Sequence, residues 1–261
     1  MDLGIKGKVA LVTASSGGLG AAIAQALSAE GVAVAITGTN AEKLAKTEAA
    51  IRAGGGKVIS LVWDLGNLDL IEQSIAKIEA ELGPIGILVN NTGGPPPSPA
   101  GGQAQDVWRK HFDSMILSVI AITDRILPGM KARKWGRVIT STSMGVIAPI
   151  PNLGMSNTLR ASLVGWSKTL SREVAKDGIT VNVMAPGRID TDRVKAIDAG
   201  AAKRDGKTVE EVAAASAATI PMGRYGTPQE FADVAAFLAS QRASYVTGST
   251  IRVDGGVIPN V

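Results

Sequence analysis

Short runs of β-branched and aliphatic residues alternate along this chain with longer stretches in which apolar positions recur about every 3.6 residues. The short runs predict strands, which cover residues 9–13, 32–37, 57–63, 85–90, 137–141, 179–185 and 249–256. The longer stretches predict helices, one with Leu19, Ile23, Ala26 and Leu27 on one side and others over 41–53, 68–82, 103–132, after 156 and after Pro228. This alternation predicts an α/β fold, a doubly wound parallel sheet of about seven strands with helices on both faces.

Two segments interrupt the alternation. Residues 91–102, NTGGPPPSPAGG, are dominated by proline and glycine and predict an irregular loop. Residues 190–222 are rich in alanine and charge and predict small helices beside a ligand, so that 188–222 forms a lid over a substrate. No linker or repeat divides the 261 residues, and we expect the whole chain, 1–261, to form a single domain.

Composition removes several classes of chemistry. The chain has no cysteine and one histidine, His111, which excludes thiolate ligands, cysteine nucleophiles and multi-histidine metal sites. His111 itself is expected on a helix surface. No uninterrupted apolar run reaches the ~18 residues of a membrane span, and the apolar stretch near the N-terminus is too short for a signal peptide. We therefore expect a soluble, cytoplasmic protein without a metal site or membrane contact.

The net charge is +4, and one tight basic group lies between a predicted helix and a predicted strand. It consists of Lys131, Arg133, Lys134 and Arg137 around Trp135. Such a group forms a nucleic-acid patch, or it places cations at the end of a helix, where they complement the helix dipole. Its position favours the second interpretation, and we expect no nucleic-acid partner.

The stretch TASSGGLG, residues 13–20, joins the first predicted strand to the first helix. Backbone N–H groups and the dipole at the start of a helix bind pyrophosphate, and glycine lets the phosphate approach the backbone closely. A glycine-rich turn alone is a weak signal, but this turn lies inside a strand–helix–strand unit of about thirty residues. It predicts a dinucleotide site.

Six motifs, in order along nearly the whole chain, resemble those of the short-chain dehydrogenase/reductase family. They are TASSGGLG at 13–20, WDL at 63–65, NNTG at 90–93, VMAPGRIDTD at 183–192, GRYGTPQEFA at 223–232 and YVTGSTIRVDGG at 245–256. The resemblance implies a Rossmann-like sheet with strand order 3-2-1-4-5-6-7 and a ligand at the carboxyl ends of the strands. Ala14 stands where the family usually has glycine.

The resemblance also implies a set of cofactor-binding residues. These are Thr13, Ser15, Ser16, Gly18, Leu19, Gly20, Thr39, Asp64, Leu65, Asn91, Gly93, Arg160, Pro186, Gly187, Ile189 and Thr191.

The end of the second strand determines the choice between NAD and NADP. An acidic residue there would hold the ribose 2′-hydroxyl of NAD, but the chain has Gly38, Thr39 and Asn40. NADP(H) is therefore favoured over NAD(H), although Gly17 replaces a residue that is often basic in similar NADP-dependent proteins. Thr39 and Asn40 serve equally well as caps of the next helix.

In the family resembled here, a tyrosine assisted by a lysine, a serine and an asparagine protonates the alkoxide that hydride transfer leaves. The resemblance places Ser143 at the serine, although two hydroxyl residues just before it offer other registers. It places Ser156 at the tyrosine, Arg160 at the lysine and Met115 at the asparagine. The implied catalytic residues are therefore Ser143, Ser156 and Arg160.

This substitution weakens the expected proton transfer. Serine is less acidic than a phenol and arginine stays protonated, and loss of a positioned general acid costs about 10²–10⁴ in rate. A water held by Ser143 and Ser156, or an acidic group on the substrate, would then deliver the proton. Ser156 serves alternatively as the N-cap of a helix.

Three roles for Arg160 stay open: it holds the nicotinamide ribose, grips an anionic group of the substrate, or makes a structural pair. Arg188 and Arg193 in the predicted lid add a weak hint of an anion.

The leading hypothesis is an NAD(P)(H)-dependent oxidoreductase that reduces a carbonyl or oxidises an alcohol by hydride transfer, similar to 3-oxoacyl carrier-protein reductases. A second is a cofactor-binding protein without catalysis, such as a sensor or an inactive subunit. A third is a cofactor-free lyase similar to halohydrin dehalogenases, which carry arginine at the lysine position. The resemblance also implies a homo-oligomer, either a tetramer or a dimer, and leaves the small-molecule substrate open.

Overall fold

The computed structural model describes residues 2–260. Seven strands form one sheet in the order β3-β2-β1-β4-β5-β6-β7, and each neighbouring pair is parallel. The strands are β1 Val9–Val12, β2 Ala33–Gly38, β3 Val58–Val62, β4 Ile87–Asn90, β5 Gly136–Ser141, β6 Ile179–Pro186 and β7 Thr250–Val253. The doubly wound α/β fold and its strand order are confirmed.

Helices connect the strands on both faces of the sheet. They are α1 Gly18–Ala29, α2 Ala41–Ala53, α3 Leu70–Leu82, α4 Gln105–Phe112, α5 Ser118–Ala132, α6 Gly154–Val174, α7 Asp192–Asp205, α8 Val209–Ala218 and α9 Pro228–Ala239. The segment 190–222 contains α7 and α8, as its composition predicts. Asn40 caps α2, because its Oδ1 accepts a hydrogen bond of 2.8 Å from the Lys43 N–H.

Each face of the sheet has its own apolar core. Ile23 of α1 and Phe231 of α9 are buried on one face, and Ile75 of α3 and Ile126 of α5 on the other. Burial of each such side chain stabilises the fold by about 1.5–3 kcal/mol. The central strands therefore have fixed positions, and their carboxyl ends form a rigid edge.

The region 103–132, predicted as one helical stretch, is divided by a π-helical turn, Asp113–Leu117. This turn buries Met115 and Ile116 against Met155 and Leu159 of α6. A π-helical turn differs from an α-helical turn by one inserted residue, and a sequence window that averages over several turns does not locate it. The π-helical turn packs against α6, and this contact helps to fix the position of the helix that carries Ser156.

The interpretation of Ser156 as a helix N-cap is wrong. α6 begins at Gly154, with Leu153 as its cap residue, and Ser156 lies within the first turn with 7% of its surface exposed. The helix begins earlier because Gly154 N–H donates to the carbonyl of Ser98 at 3.0 Å, which joins the start of α6 to the loop 91–102.

The basic group at the end of α5 makes contacts within the fold. Arg137 is 1% exposed and donates to the carbonyl oxygens of Ser240 and Gly178, while Lys134 pairs with Asp177 at 2.5 Å. Arg133 donates to the carbonyl of Ile85 at 2.7 Å. These contacts support the structural interpretation over a nucleic-acid patch. None of the helices within residues 2–260 combines the length and apolar character that crossing a membrane requires.

Candidate active site at the carboxyl edge of the sheet

The ends of β1 and β4 are joined by reciprocal hydrogen bonds between Thr13 and Asn91. The Thr13 hydroxyl donates to the Asn91 carbonyl at 2.7 Å and accepts from the Asn91 N–H at 2.9 Å. The Asn91 side chain donates to the carbonyl of Ala14 at 3.0 Å. Both residues of the predicted cofactor set therefore shape the turn that follows β1.

The turn itself requires close approach of backbone segments. A Cβ placed on Gly20 would lie 2.7 Å from the Ala14 carbonyl oxygen and 2.9 Å from Asn91 Nδ2, too close for any side chain there. Ala14 and Gly18 both have left-handed backbones, with φ of 46° and 55°. The methyl group of Ala14 thus stands in a conformation that favours glycine, which explains why glycine is usual at this position.

The N-terminal end of α1 is exposed at the surface. Gly17 and Gly18 are exposed, and a Cβ on Gly17 would meet no atom within 4 Å. The first N–H groups of any helix lack an intrahelical partner, and the N-cap residue Gly17 has no side chain that could accept from those of α1. This arrangement suits an anion such as a pyrophosphate.

The hydroxyl of Ser15 has a structural role. Ser15 is fully buried, its Oγ donates to the Val12 carbonyl at 2.6 Å, and it accepts from the Thr37 N–H at 3.0 Å. Ser16 instead fills the space beside Gly38, where an added Cβ would lie 2.8 Å from Ser16 Oγ. A neutral hydroxyl therefore occupies the position next to the end of β2, and Thr39 lies exposed beyond it.

Asp64 and Leu65 follow β3. Asp64 is exposed and its Oδ1 accepts from the Gly66 N–H at 2.9 Å, whereas Leu65 is buried. Asp64 borders an open cleft of about 770 Å³ between the β3–α3 connection and α4. His111 lines the same cleft, and partial burial, followed by the charge of Lys110, lowers its pKa, so its imidazole is neutral at pH 7.

The segment after β6 places Thr191, at the start of α7, close to the glycine-rich turn. The Thr191 side chain caps α7 through the Val194 N–H and lies 3.8 Å from the Cβ position of Gly18. Gly187 packs against Asp254, where an added Cβ would be 2.7 Å from its Cα, and Ile189 is buried. Pro186 ends β6, so these cofactor candidates converge on the same edge as the turn.

Arg160 is buried, with 7% of its surface exposed, and it joins two strand ends. Its Nη2 donates to the Gly93 carbonyl at 3.1 Å and its Nη1 to the Ser141 carbonyl at 3.3 Å. Burial first, and the nearby charge of Arg193 second, lower the pKa of Arg160 to about 10, so the guanidinium remains charged at pH 7.

Ser143 and Ser156 belong to neighbouring elements. Ser143 Oγ accepts from the Gly145 N–H at 3.1 Å in a short 3₁₀ turn, Met144–Val146, that packs against α6. Asn157, the residue after Ser156, contacts the Cβ position of Gly145. Among residues 2–260, no hydrogen-bond partner of Ser156 Oγ is found, so its hydroxyl can accept or donate to a bound molecule.

A second polar cluster joins α7 to the segments before and after the helices α7 and α8, and sequence patterns did not predict it. Asp198 is 2% exposed; it accepts from Arg188 Nη1 at 2.6 Å and from the Tyr225 hydroxyl at 2.9 Å. Burial is the main reason why the pKa of Tyr225 is raised. Arg188 therefore pairs inside the protein. The motif GRYG contains Tyr225, which could have drawn attention to this cluster. Its partner Asp198 lies 27 residues earlier, and no sequence motif connects the two residues.

Comparison with known proteins agrees with this geometry. The family model described as enoyl-(acyl carrier protein) reductase matches residues 13–258. The chain is 37% identical over 257 residues to the 3-oxoacyl-acyl-carrier-protein reductase FabG of Salmonella typhimurium, covering 98% of this chain and 99% of that protein. It is 35% identical over 251 residues to nodulation protein G of Azospirillum brasilense, covering 96% and 98%.

Solved structures show the same relationship. The L-sorbose reductase of Gluconobacter frateurii, complexed with NADPH and L-sorbose, superimposes with a TM-score of 0.94 at 30% identity over 100% of both chains. The fold, the cofactor turn and the full-length matches lead to one assignment: the chain belongs to the short-chain dehydrogenase/reductase family of NAD(P)-dependent oxidoreductases.

Proposed function

We propose that this protein is an NADP(H)-dependent oxidoreductase that interconverts a carbonyl and an alcohol at a site built from Ser143, Ser156 and Arg160. The observation that carries the proposal is the open glycine turn, Gly17–Gly20, with Thr191 facing it from the start of the lid. The uncapped start of α1 fits a pyrophosphate, and the exposed Gly93 has open space in front of it.

The remaining cofactor candidates divide by role. Thr13, Ser15 and Asn91 hold the backbone of the turn, while Asp64 and Thr39 offer exposed polar groups for the adenosine end. A bound nicotinamide dinucleotide supplies or accepts the hydride. The protein's own contribution is to orient the two molecules and to provide for the proton.

The preference for NADP(H) is supported by the neutral surface at the end of β2. Ser16 Oγ lies next to Gly38, and no carboxylate stands there to repel a 2′-phosphate. The L-sorbose reductase of Gluconobacter frateurii was solved with NADPH. Both observations favour NADPH over NADH.

The two hydroxyls are the groups available for the proton. Ser143 is held by the Gly145 N–H, and Ser156 Oγ is free to bind a water. In this arrangement the hydroxyls would orient a water that gives a proton to the nascent alkoxide, the hydroxide that remains would take a proton from solvent, and Arg160 contributes a positive charge to the site. Without a positioned acid, we expect turnover slower by about 10²–10⁴ than with one.

A titration followed by a hydride-transfer assay tests the proposal. Protein fluorescence is titrated with NADPH and NADH, and NADPH consumption is then followed with a panel of aldehydes and ketones. We expect saturable micromolar binding with NADPH the tighter ligand, and slow consumption that depends on the carbonyl. Failure of both nucleotides to bind would overturn the proposal.

The second candidate, a cofactor-binding protein without catalysis, is supported by the register that the family resemblance implies, in which Ser156 and Arg160 stand where the family has a tyrosine and a lysine. It predicts tight NADPH binding without consumption for any carbonyl tested. The retained glycine turn argues against a cofactor-free lyase, which would have no use for it.

We also infer a cytoplasmic homo-oligomer. Val107 and Phe112 of α4 and Phe237 of α9 are large apolar side chains that lie exposed on helices of this fold. Sedimentation analysis distinguishes a dimer or tetramer from a monomer.

A further inference from the structure

Arg160 carries a buried charge without a compensating anion. Its guanidinium contacts the carbonyl oxygens of Gly93 and Ser141, and within residues 2–260 no carboxylate lies at ion-pair distance from it. Burying a charge without a partner is costly, and neutral carbonyl dipoles offset only part of that cost. The site is therefore more favourable with an anion present.

A second guanidinium lies next to the first. Arg193, at the start of α7, donates to the carbonyl oxygens of Gly94 and Pro95, at 3.3 and 2.9 Å. A Cβ placed on Gly94 would lie 2.6 Å from Arg193 Nη2 and 3.4 Å from Arg160 Nη2, so the two guanidinium groups converge on one point. The two positively charged groups come from different helices, and each donates to neutral backbone carbonyl oxygens.

Two further features belong to the same loop after β4. The hydroxyl of Thr92 is buried and lacks a hydrogen-bond partner among the described residues. Gly93, the next residue, is exposed, and a Cβ on it would meet no atom within 4 Å. The loop that Arg160 contacts through the Gly93 carbonyl therefore contains an unpaired hydroxyl and has open space beside Gly93.

We propose that Arg160 and Arg193 bind the carboxylate of the substrate, so that the protein acts on an oxo acid or the corresponding hydroxy acid. The inference rests on the proposed function and names the substrate class of that same site. A planar guanidinium matches the two oxygens of a carboxylate, and two of them in one pocket give both charge and direction.

The diphosphate of the cofactor is the other anion to consider. Its expected position is the start of α1 at Gly17 and Gly18, where Thr191 faces it. Arg193 instead turns to Gly94 and Pro95, in the loop after β4. The geometry therefore points to a substrate group, and the experiment separates the two sources.

The experiment measures binding by calorimetry, with and without saturating NADPH, so that it does not depend on turnover. The probes are pyruvate, acetoacetate and levulinate, each compared with its methyl ester, which lacks the charge. The variants are Arg193→Gln and Arg193→Lys. Lys195→Gln is the control: it removes the same charge from the same helix, at an exposed residue that pairs with Asp190 at 3.3 Å.

We expect at least one acid to bind about tenfold or more tightly than its ester, a difference of about 1.4 kcal/mol, because hydrogen bonds to charged groups are stronger than those between neutral groups. Arg193→Gln is expected to abolish that ratio, Arg193→Lys to reduce it, and Lys195→Gln to preserve it. NADPH binding stays the same in all three variants.

Three results would overturn the inference. The first is that the acids bind no more tightly than the esters. The second is that the ratio of acid affinity to ester affinity is unchanged in Arg193→Gln. The third is that Arg193→Gln weakens NADPH binding without changing this ratio, which would assign Arg160 and Arg193 to the cofactor. If the wild-type protein binds no NADPH, the proposed function fails, while the titrations of free protein still decide the carboxylate site.

Discussion

Arg160 Nη2 donates a hydrogen bond of 3.1 Å to the carbonyl oxygen of Gly93, so a buried cation on α6 contacts the loop that follows β4. A lysine ammonium is a compact point charge, whereas the planar guanidinium presents several donors side by side. Arg160 therefore contacts the loop after β4 and the end of β5 at the same time. The arginine is therefore part of the frame of the site as well as a charge within it.

Replacement of Gly20 by alanine is expected to disrupt the cofactor turn. The new methyl group would lie 2.7 Å from the Ala14 carbonyl oxygen and 2.8 Å from Ser15 Cα, which forces the backbone apart. We expect a loss of about 1–3 kcal/mol of unfolding free energy and weaker NADPH binding. Urea unfolding and fluorescence titration measure the two effects. Gly17→Ala is the matched control, because its Cβ meets no atom within 4 Å; equal losses in both variants would contradict the steric argument.

Replacement of Gly17 by arginine is expected to strengthen NADPH binding. The space around Gly17 is open, and its backbone φ of 179° is extended, so a long side chain fits without strain. One charge-assisted contact to the 2′-phosphate contributes about 1.5–3 kcal/mol, which is roughly tenfold or more in Kd. Titration with NADPH and NADH checks the prediction: the Kd for NADH stays the same. Equal tightening of both nucleotides would show that the added charge acts on the diphosphate instead.

Alanine at Ser156 tests the hydroxyl assigned to the proton-donating water. Ser156 Oγ has no hydrogen-bond partner among the described residues, so its removal leaves the fold intact. Loss of one hydrogen bond to that water costs about 1 kcal/mol, and kcat falls roughly fivefold to tenfold. NADPH affinity and Tm are expected to be unchanged. The control is Ser162→Ala, which removes a hydroxyl that donates to the Leu159 carbonyl further along α6; a similar drop there would remove the special role of Ser156.

Asparagine at Asp198 is expected to loosen the attachment of α7. The carboxylate accepts hydrogen bonds from Arg188 and Tyr225 at 2.6 and 2.9 Å and is almost fully buried. Loss of the charged partner is expected to reduce the opening free energy of α7 by about 1.5–3 kcal/mol, as measured by hydrogen exchange of its backbone amides. Asp205→Asn is the control, because Asp205 pairs with Arg204 at the surface, where ion pairs contribute at most about 1 kcal/mol. Equal exchange in the two variants would contradict a role for the buried cluster.

The acid stability of the protein is expected to depend on Glu230. Hydrogen bonds from Arg224, followed by the Thr227 backbone N–H, lower the pKa of its carboxyl from 4.5 to about 2. A lowered pKa in the folded state means that the contribution to stability is complete above pH 4.5 and is lost as the pH falls towards 2. The difference in Tm between wild type and Glu230→Gln should therefore be constant above pH 5 and shrink towards pH 2. Glu42→Gln, in the first turn of α2, serves as the control; a difference that persists undiminished at pH 2 would refute the assignment.

The amino-acid sequence by itself determined the α/β class, the order of elements and the glycine turn, because each depends on local periodicity or on motifs a few residues long. It also supports the prediction that Ser156 and Arg160 stand where the family has its tyrosine and lysine, since register along one helix is a local property. Helix starts were less certain: α6 begins at Gly154 because it bonds to Ser98, a contact that no local pattern contains.

Only the tertiary structure decided where the side chains point. Arg160 lies on α6 and Arg193 on α7. Their side chains meet at Gly94 because both helices begin near the carboxyl edge of the sheet. Asp198 finds Tyr225 for the same reason. Ser15, predicted from its motif, turns its hydroxyl inward to the strand ends. Long side chains can reach in many directions, and packing with its buried hydrogen bonds selects one of them.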